Sequence, residues 1–277
     1  MNDAEIRTLA VPGARLHYEV RGTGPLLLMI PGAPADAAAL AGLAASLSGR
    51  YTVVTYDQRG LSRSPLTEPP ADQDVAVFGE DARRLLAALG DEPAYVLGNS
   101  GGALTALDLA VRHPGRVRAL VVHEPPIPEL LPDREHWRAT FQDVYDTYRD
   151  QGAGPAMRKF VSTVQGEGGT PPAPPDFAHM PPEALEMMGR IQRNLDYFLA
   201  HVLLPVLRFE PDVAALRSGP VPIAVGVGAD SGGGVPAASA RVLAERLGVE
   251  PLVFPGDHQG LALDVATCAE IVHKALG

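Results

Sequence analysis

The chain has 277 residues, of which 46% are hydrophobic and 20% charged, and its formal net charge is −10. This balance is typical of a globular protein and argues against a disordered chain and a membrane protein. The acidic surplus offers nucleic-acid phosphates no broad cationic surface, so we expect neither a nucleic-acid nor a membrane partner. The length fits one large α/β domain that carries an insertion.

Short apolar runs alternate with segments of helical spacing, which predicts a sheet covered by helices on both faces. The first two runs flank the turn Val11-Pro12-Gly13-Ala14 and predict an antiparallel hairpin. The later runs are nearly continuous hydrophobics, typical of buried parallel strands. We therefore predict a mostly parallel, eight-stranded α/β sheet. The predicted strands are residues 6–10, 15–20, 26–30, 51–55, 94–98, 117–122, 221–227 and 250–254.

Helices are predicted between these strands, and the pattern changes in the middle of the chain. Residues 125–220 lack clear strands and contain helix-like stretches interrupted by a Gly/Pro-rich piece at 166–175. We interpret 125–220 as a helical cap inserted into a core domain formed by 1–124 and 221–277. The predicted core helices are 36–48, 74–89, 101–112, 236–247 and 262–276, and those of the cap are 134–150, 155–165, 182–200 and 202–209.

The cysteine content and the first residues indicate in which cellular compartment we expect the protein. Cys268 is the only cysteine, so no disulfide can form within the chain. The opening MNDAEIRTL is acidic and polar, whereas a signal peptide needs a basic start and an apolar core. No apolar run reaches the roughly 18 residues of a membrane helix. These features predict a cytoplasmic protein.

The segment Gly98-Asn99-Ser100-Gly101-Gly102 connects a predicted strand to a predicted helix. It is a G-x-S-x-G nucleophile elbow in the expected strand–turn–helix setting. Small flanking residues are needed because the turn holds the serine in a strained backbone conformation. Ser100 is therefore the candidate nucleophile.

A serine hydroxyl is a weak nucleophile until a base accepts its proton, so the elbow predicts a histidine late in the chain. His258 follows the last predicted strand, within Phe254-Pro255-Gly256-Asp257-His258-Gln259-Gly260. His123 ends the strand 117–122 and is the one rival among the eight histidines, although it precedes any acid. We predict His258 as the base.

With the elbow around Ser100 and the late His258, the chain resembles the α/β-hydrolase superfamily of serine hydrolases. The resemblance covers the whole length apart from the cap. Met29-Ile30-Pro31-Gly32-Ala33-Pro34 is similar to the family's H-G-x-P oxyanion loop, with proline where histidine is usual. Tyr56-Asp57-Gln58-Arg59-Gly60-Leu61-Ser62-Arg63-Ser64 resembles the family's D-x-R-G-x-G-x-S turn. The resemblance implies an α/β-hydrolase fold and an oxyanion hole formed by the backbone N–H groups of Ala33 and Gly101.

Two carboxylates compete for the third position of a catalytic triad. Asp230 follows the strand 221–227, where most of the superfamily carries its acid. Glu124 lies in Val122-His123-Glu124-Pro125-Pro126, an H-E-x-P arrangement that resembles the fungal zearalenone lactonases, whose acid is that glutamate. Both satisfy the chain order serine, acid, histidine. We favour Glu124, because prolines hold it while Asp230 opens a glycine-rich stretch, and we keep Asp230 as the alternative.

The resemblance implies a serine hydrolase that cleaves an ester or a lactone through an acyl-enzyme. We expect no metal and no other cofactor, since neither a ligand cluster nor a G-x-x-x-x-G-K loop is present in the sequence. The expected partner is a moderately large hydrophobic small molecule, and the chain is a monomer or a homodimer. Trp137, Met188 and Tyr197 either line an apolar substrate pocket or only hold the cap helices together.

Two alternatives stay open. Gly98-Asn99-Ser100 also resembles the elbow of meta-cleavage-product hydrolases, which break carbon–carbon bonds. The fold also occurs in proteins that bind a ligand without turnover. Haloalkane dehalogenases and epoxide hydrolases of this fold use an aspartate where this chain has Ser100, so we do not expect those two activities.

Overall fold

A computed structural model of the chain describes residues 4–166 and 180–277. Its centre is an eight-stranded sheet with the strand order β1-β2-β4-β3-β5-β6-β7-β8. Every predicted strand is present, which confirms the predicted α/β fold class. The strands are β1 (Glu5–Val11), β2 (Ala14–Arg21), β3 (Leu26–Ile30), β4 (Thr52–Tyr56), β5 (Ala94–Asn99), β6 (Val117–His123), β7 (Ile223–Gly228) and β8 (Leu252–Phe254).

The strand directions follow the two kinds of apolar pattern. β1 and β2 form the predicted antiparallel hairpin, closed at the pair Val11 and Ala14 with Gly13 at φ 77°. β2 also pairs antiparallel with β4, and all the pairs from β4 to β8 are parallel. The carboxyl ends of the parallel strands therefore meet at one edge of the sheet, where α/β proteins bind their ligands.

Helices cover both faces of the sheet, so its central strands are buried on both sides. The helices are α1 (Ala41–Leu47), α2 (Val75–Leu89), α3 (Gly101–Arg112), α4 (Arg134–Gln151), α5 (Ala153–Gln165), α6 (Pro182–Tyr197), α7 (Leu203–Leu207), α8 (Val213–Ser218), α9 (Val235–Leu247) and α10 (Val265–Leu276). α1 and α10 pack on one face, and α2, α3 and α9 pack on the other.

Aspartate caps explain where several helices begin. Asp74 accepts a hydrogen bond from Val77 N at 3.0 Å at the start of α2, and Asp264 accepts one from Thr267 N at the start of α10. The second cap places the start of α10 three residues after the predicted 262, because Asp264 satisfies a free N–H group there. The segment 36–48, predicted as one helix, forms a 3₁₀ turn at Ala37–Leu40 followed by α1.

Helices α4 to α8 form an insertion between β6 and β7, as predicted. The predicted helices at 182–200 and 202–209 are α6 and α7, joined by a π turn at Phe198–Val202. The six-residue α8 was not predicted. Beyond Gly166, the Gly/Pro-rich piece lies outside the described residues. The boundaries 125 and 220 of a separate cap stay a prediction.

The insertion shares its hydrophobic core with the sheet domain. Phe141, Phe198 and Leu203 belong to the same buried cluster as the residues of α2 and α3. The rings of Phe160 and Phe198 pack edge to face, with centroids 5.3 Å apart. In the described ranges, no helix is long and apolar enough to cross a bilayer.

Candidate active site

Ser100 lies in the turn between β5 and α3, with φ 53° and ψ −125°. This strained conformation fits only because glycines surround it. A Cβ on Gly98 would lie 2.6 Å from the Cα of Ala103, and a Cβ on Gly102 would lie 2.2 Å from the carbonyl oxygen of Ile30. The backbone therefore presents the Ser100 side chain at the sheet edge, at the first turn of a helix.

His258 lies beside Ser100, although 158 positions separate them in the chain. Its Nε2 is 3.0 Å from Ser100 Oγ, which is hydrogen-bonding distance. The loop after β8 carries it, and Gly256 turns that loop with φ 78°. The predicted nucleophile and the predicted base are thus in contact.

Glu124 occupies the other side of the imidazole. Its Oε2 is 2.7 Å from His258 Nδ1, and its Oε1 accepts a hydrogen bond of 2.8 Å from Gly228 N. The residue is fully buried, with φ 46° directly after β6. Burial by itself raises the pKa of Glu124, but the hydrogen bond from His258 and the nearby imidazoles outweigh it, so the pKa lies below its usual 4.5.

Asp230, the alternative acid, does not take this position. It is exposed beyond the end of β7, and its backbone N donates to Gly256 O at 2.9 Å. The end of β7 instead supplies the N–H of Gly228 to Glu124. Of the two candidate acids, Glu124, which the sequence favours, is therefore the one that lies beside Nδ1 of His258.

His123, the rival base, is buried behind the site. Its Nδ1 lies 2.9 Å from Asn99 Oδ1, and its backbone oxygen accepts the N–H of Ser100 at 2.9 Å. The ring packs edge to face on Phe254 and lies 6.5 Å from the ring of His258. Burial lowers the pKa of His123 to about 4, so the ring is neutral at neutral pH. The side chain therefore braces the elbow.

The loop after β3 lies against Ser100. A Cβ on Gly32 would approach the Cβ of Ser100 to 2.7 Å, and a Cβ on Gly101 would lie 3.6 Å from Ala33 N. The backbone nitrogen of Ala33 is therefore next to the start of α3, where the N–H groups of the first helical turn carry partial positive charge. This is a place where negative charge on a substrate oxygen can be stabilised.

The sequence and the fold agree with those of known proteins. Residues 25–181, more than half of the chain, match the family described as α/β hydrolase fold. The chain belongs to the α/β-hydrolase family. An uncharacterized hydrolase of Bacillus subtilis, YraK, is 34% identical over 97% of this chain and 95% of its own length. We therefore describe the protein as a hydrolase.

Two solved structures show the same fold. A hydrolase from Pseudomonas aeruginosa PA01 has a TM-score of 0.77 with 23% identity, and the match covers 100% of both chains. A thermophilic esterase from Thermogutta terrifontis has a TM-score of 0.72 with 21% identity, covering 99% of this hydrolase and 98% of the esterase. At these identities the likeness is one of fold.

The family's D-x-R-G-x-G-x-S turn supports the loop after β3 in this hydrolase. Gln58 Nε2 donates to Pro31 O at 2.7 Å. Asp57 accepts hydrogen bonds from Ala37 N at 3.0 Å and from the guanidinium of Arg63. We did not predict a role for Gln58 from the sequence. Its position next to Asp57, in the turn that resembles the family's motif, is the signal that could have identified it.

Trp137, Met188 and Tyr197 lie on the helices of the insertion. Tyr197 packs on Gly60, where a Cβ would lie 2.2 Å from its ring, and burial raises the pKa of Tyr197 to about 12. Trp137 packs edge to face with His136 and against the main core, and Met188 is half-buried in α6. These contacts agree with a structural role, and substrate binding by the three residues stays a prediction.

Residues 4–166 and 180–277 contain no cluster of three or more histidine, cysteine or acidic side chains that could hold a metal ion. A cavity of about 340 Å³ lies between α4, α7 and the turn Pro128–Leu130. Its lining includes Arg138, Phe141 and Leu207 but none of the side chains around Ser100. We therefore assign this cavity no part in the chemistry.

Proposed function

We propose that this hydrolase cleaves a carboxylic ester or a lactone of a moderately large hydrophobic small molecule through an acyl-enzyme. One observation carries the proposal: a continuous hydrogen-bonded chain runs from Ser100 Oγ through both ring nitrogens of His258 to Glu124, whose other oxygen is held by Gly228 N. In this arrangement the serine has a base, and the base has a partner that fixes its tautomer.

In the first half of the reaction, His258 Nε2 accepts the proton of Ser100 Oγ as the oxygen attacks the substrate carbonyl carbon. The carbonyl oxygen becomes an oxyanion, which the N–H groups of Ala33 and Gly101 stabilise. The buried Glu124 carboxylate stabilises the imidazolium that forms, because it is ionised and bound to Nδ1. The tetrahedral intermediate then collapses, and the leaving alcohol oxygen takes the proton from Nε2.

In the second half, water attacks the acyl-enzyme while His258 accepts one of its protons. Collapse of the second intermediate returns that proton to Ser100 Oγ and releases the carboxylic acid. A linear ester yields an acid and an alcohol. A lactone yields a single hydroxy acid, since its alcohol stays attached to the acyl group. The arrangement of Ser100, His258 and Glu124 suits both kinds of bond, and the H-E-x-P resemblance supports the lactone.

A substrate panel tests the proposal. It pairs aliphatic and aromatic lactones with open-chain esters of the same carbon number, and includes a vinylogous diketone as a carbon–carbon substrate. We expect turnover of at least one ester or lactone, and loss of that turnover in Ser100→Ala. Cleavage of the diketone alone would replace the proposal with carbon–carbon hydrolysis. Binding without turnover of any member would replace it with ligand binding.

A further inference from the structure

Helix α6 of the insertion makes direct polar contact with the loop that carries Ala33. Asn194 is 4% exposed, and its Nδ2 donates to Pro34 O at 2.8 Å and to Ser62 Oγ at 2.9 Å. Its Oδ1 accepts a hydrogen bond of 2.7 Å from Ser62 N. Both N–H groups and the oxygen of the Asn194 side-chain amide therefore bind the loop after β3 and the turn after β4, and these hydrogen bonds connect α6 to the sheet domain.

A second contact lies one helical turn earlier on the same face of α6. Arg190 Nε donates to Asp36 Oδ2 at 2.5 Å. The Asp36 carboxylate is fully buried, and its other oxygen caps the following 3₁₀ turn through Ala38 N at 3.0 Å. Arg190 is itself largely buried, with 15% of its side chain exposed. A buried carboxylate needs such a partner, so this ion pair fixes the far end of the loop to α6.

The loop is thus held from two directions. Gln58, on the core side, binds Pro31 O two residues before Ala33. Asn194, on the insertion side, binds Pro34 O one residue after it. The peptide N–H of Ala33 lies between these anchors. A donor that stabilises an oxyanion has to be held within about 0.5 Å of its productive position.

We propose that Asn194 and Arg190 are positioning residues. By holding the loop Gly32–Asp36, they fix the position of the backbone N–H of Ala33, which donates to the oxyanion. The insertion then contributes to stabilising the transition state as well as covering the substrate. This inference rests on the proposed acyl-transfer function. Neither side chain has to touch substrate, because each acts on the loop backbone or on Asp36.

The sharpest variant is Asn194→Asp. A carboxylate keeps the acceptor for Ser62 N and can accept from the Ser62 hydroxyl, but it replaces the donor to Pro34 O with a buried, negatively charged oxygen that repels this carbonyl and displaces the loop. We expect kcat to fall by about tenfold or more with KM within about twofold, because a displaced oxyanion donor costs less than the 10²–10³-fold of a deleted one. The Ki of a trifluoromethyl ketone, which forms an oxyanion adduct on the serine, should rise by the same factor.

Gln192→Ala is the matched control, since Gln192 is exposed on the same helix. It should leave kcat, KM and Ki unchanged. If Asn194→Asp does not fold, Asn194→Ser replaces it, and thermal unfolding checks each variant. Arg190→Lys keeps the charge beside Asp36 and should show a smaller fall in kcat than Asn194→Asp.

The outcomes separate the two proposals. A folded Asn194→Asp or Asn194→Ser protein whose kcat and ketone Ki match those of an active wild type overturns the positioning role alone. A fall in kcat with an unchanged Ki also overturns it, because the oxyanion site would then be intact. A wild type that neither hydrolyses esters or lactones nor binds the ketone covalently overturns both proposals together.

Discussion

At the scale of single residues, the direction of one side chain distinguishes the two candidate acids of the proposed triad. Glu124 has φ 46°, which turns its carboxylate towards His258, and Gly228 N binds the carboxylate oxygen that faces away from the ring. Asp230 lies one strand further along and is exposed. In the proposed mechanism the acid has to be ionised, because its negative charge stabilises the imidazolium that forms on His258.

Glu124→Gln preserves shape and the hydrogen bond from Gly228 N but removes the charge that stabilises imidazolium. We expect kcat to fall by about 10³–10⁴-fold, since the equivalent change in other triads has that effect. Asp230→Asn is the matched control and should stay within about twofold. Steady-state kinetics on one substrate compares them. Similar small losses in both variants would contradict the triad.

The buried His123 predicts a specific dependence of stability on pH. Its folded pKa, about 4, lies below the usual 6.5, so below pH 6.5 the unfolded chain binds a proton that the folded protein does not. Its contribution to stability is therefore complete above pH 6.5 and is lost as the pH falls towards 4. Between pH 7.5 and 4.5 the loss is about 2–3 kcal/mol of unfolding free energy.

Urea unfolding at pH 7.5 and pH 4.5 measures this loss in the wild type and in His123→Gln. The variant lacks the titrating ring, so its stability should fall by about 2–3 kcal/mol less over that interval. An identical pH dependence in the two proteins would show that His123 does not carry the shift.

At the scale of elements, the elbow depends on close contact between β3, β5 and α3. Gly102 lies in the first turn of α3, and a Cβ there would lie 2.6 Å from Pro31 O as well as 2.2 Å from Ile30 O. Backbone atoms of a central strand cannot move aside cheaply. The glycines of the motif therefore serve packing as much as catalysis.

Gly102→Ala should destabilise the fold by about 3 kcal/mol, because a buried overlap with backbone forces β3 and α3 apart. Gly115→Ala is the control, since a Cβ at that turn has nothing within 4 Å and should change stability by less than about 0.5 kcal/mol. Denaturant midpoints measure both. Equal midpoints would mean that the contact between β3 and α3 is loose.

At the scale of the whole molecule, the insertion shares one hydrophobic cluster with the sheet face that α2, α3 and α9 cover. Phe198 is 4% exposed and lies in the cluster that also contains β5, α2 and α3. The only tryptophan of the chain, Trp137, is in the insertion, so its fluorescence reports unfolding there. Circular dichroism reports the helices of the whole protein.

We expect one cooperative transition in which tryptophan fluorescence and circular dichroism coincide. Phe198→Ala should shift both signals together and cost about 3–5 kcal/mol. Leu263→Ala, at a site 74% exposed, should shift neither by more than about 0.5 kcal/mol. A fluorescence transition that precedes the dichroism transition would show that the insertion unfolds on its own.

The sequence predicted those features that a local pattern encodes. Continuous apolar runs mark the buried strands, and the glycines around Ser100 mark the elbow. The sequence favoured Glu124 over Asp230 only through the flanking prolines and glycines, because both residues follow strand ends and the position of each carboxylate depends on backbone angles and on the distant N–H of Gly228. The pair Arg190–Asp36 joins positions 154 apart and leaves no local signal. Helix α8 is too short for helical periodicity to reveal it.

Covalent labelling with a fluorophosphonate, read by intact mass and peptide mapping, shows whether Ser100 is an activated nucleophile. The probe phosphonylates only a serine whose hydroxyl is activated by a base. We expect one adduct per chain, located on Ser100, and none in Ser100→Ala. A folded wild-type protein that takes up no probe, or an adduct that persists in Ser100→Ala, would contradict this expectation.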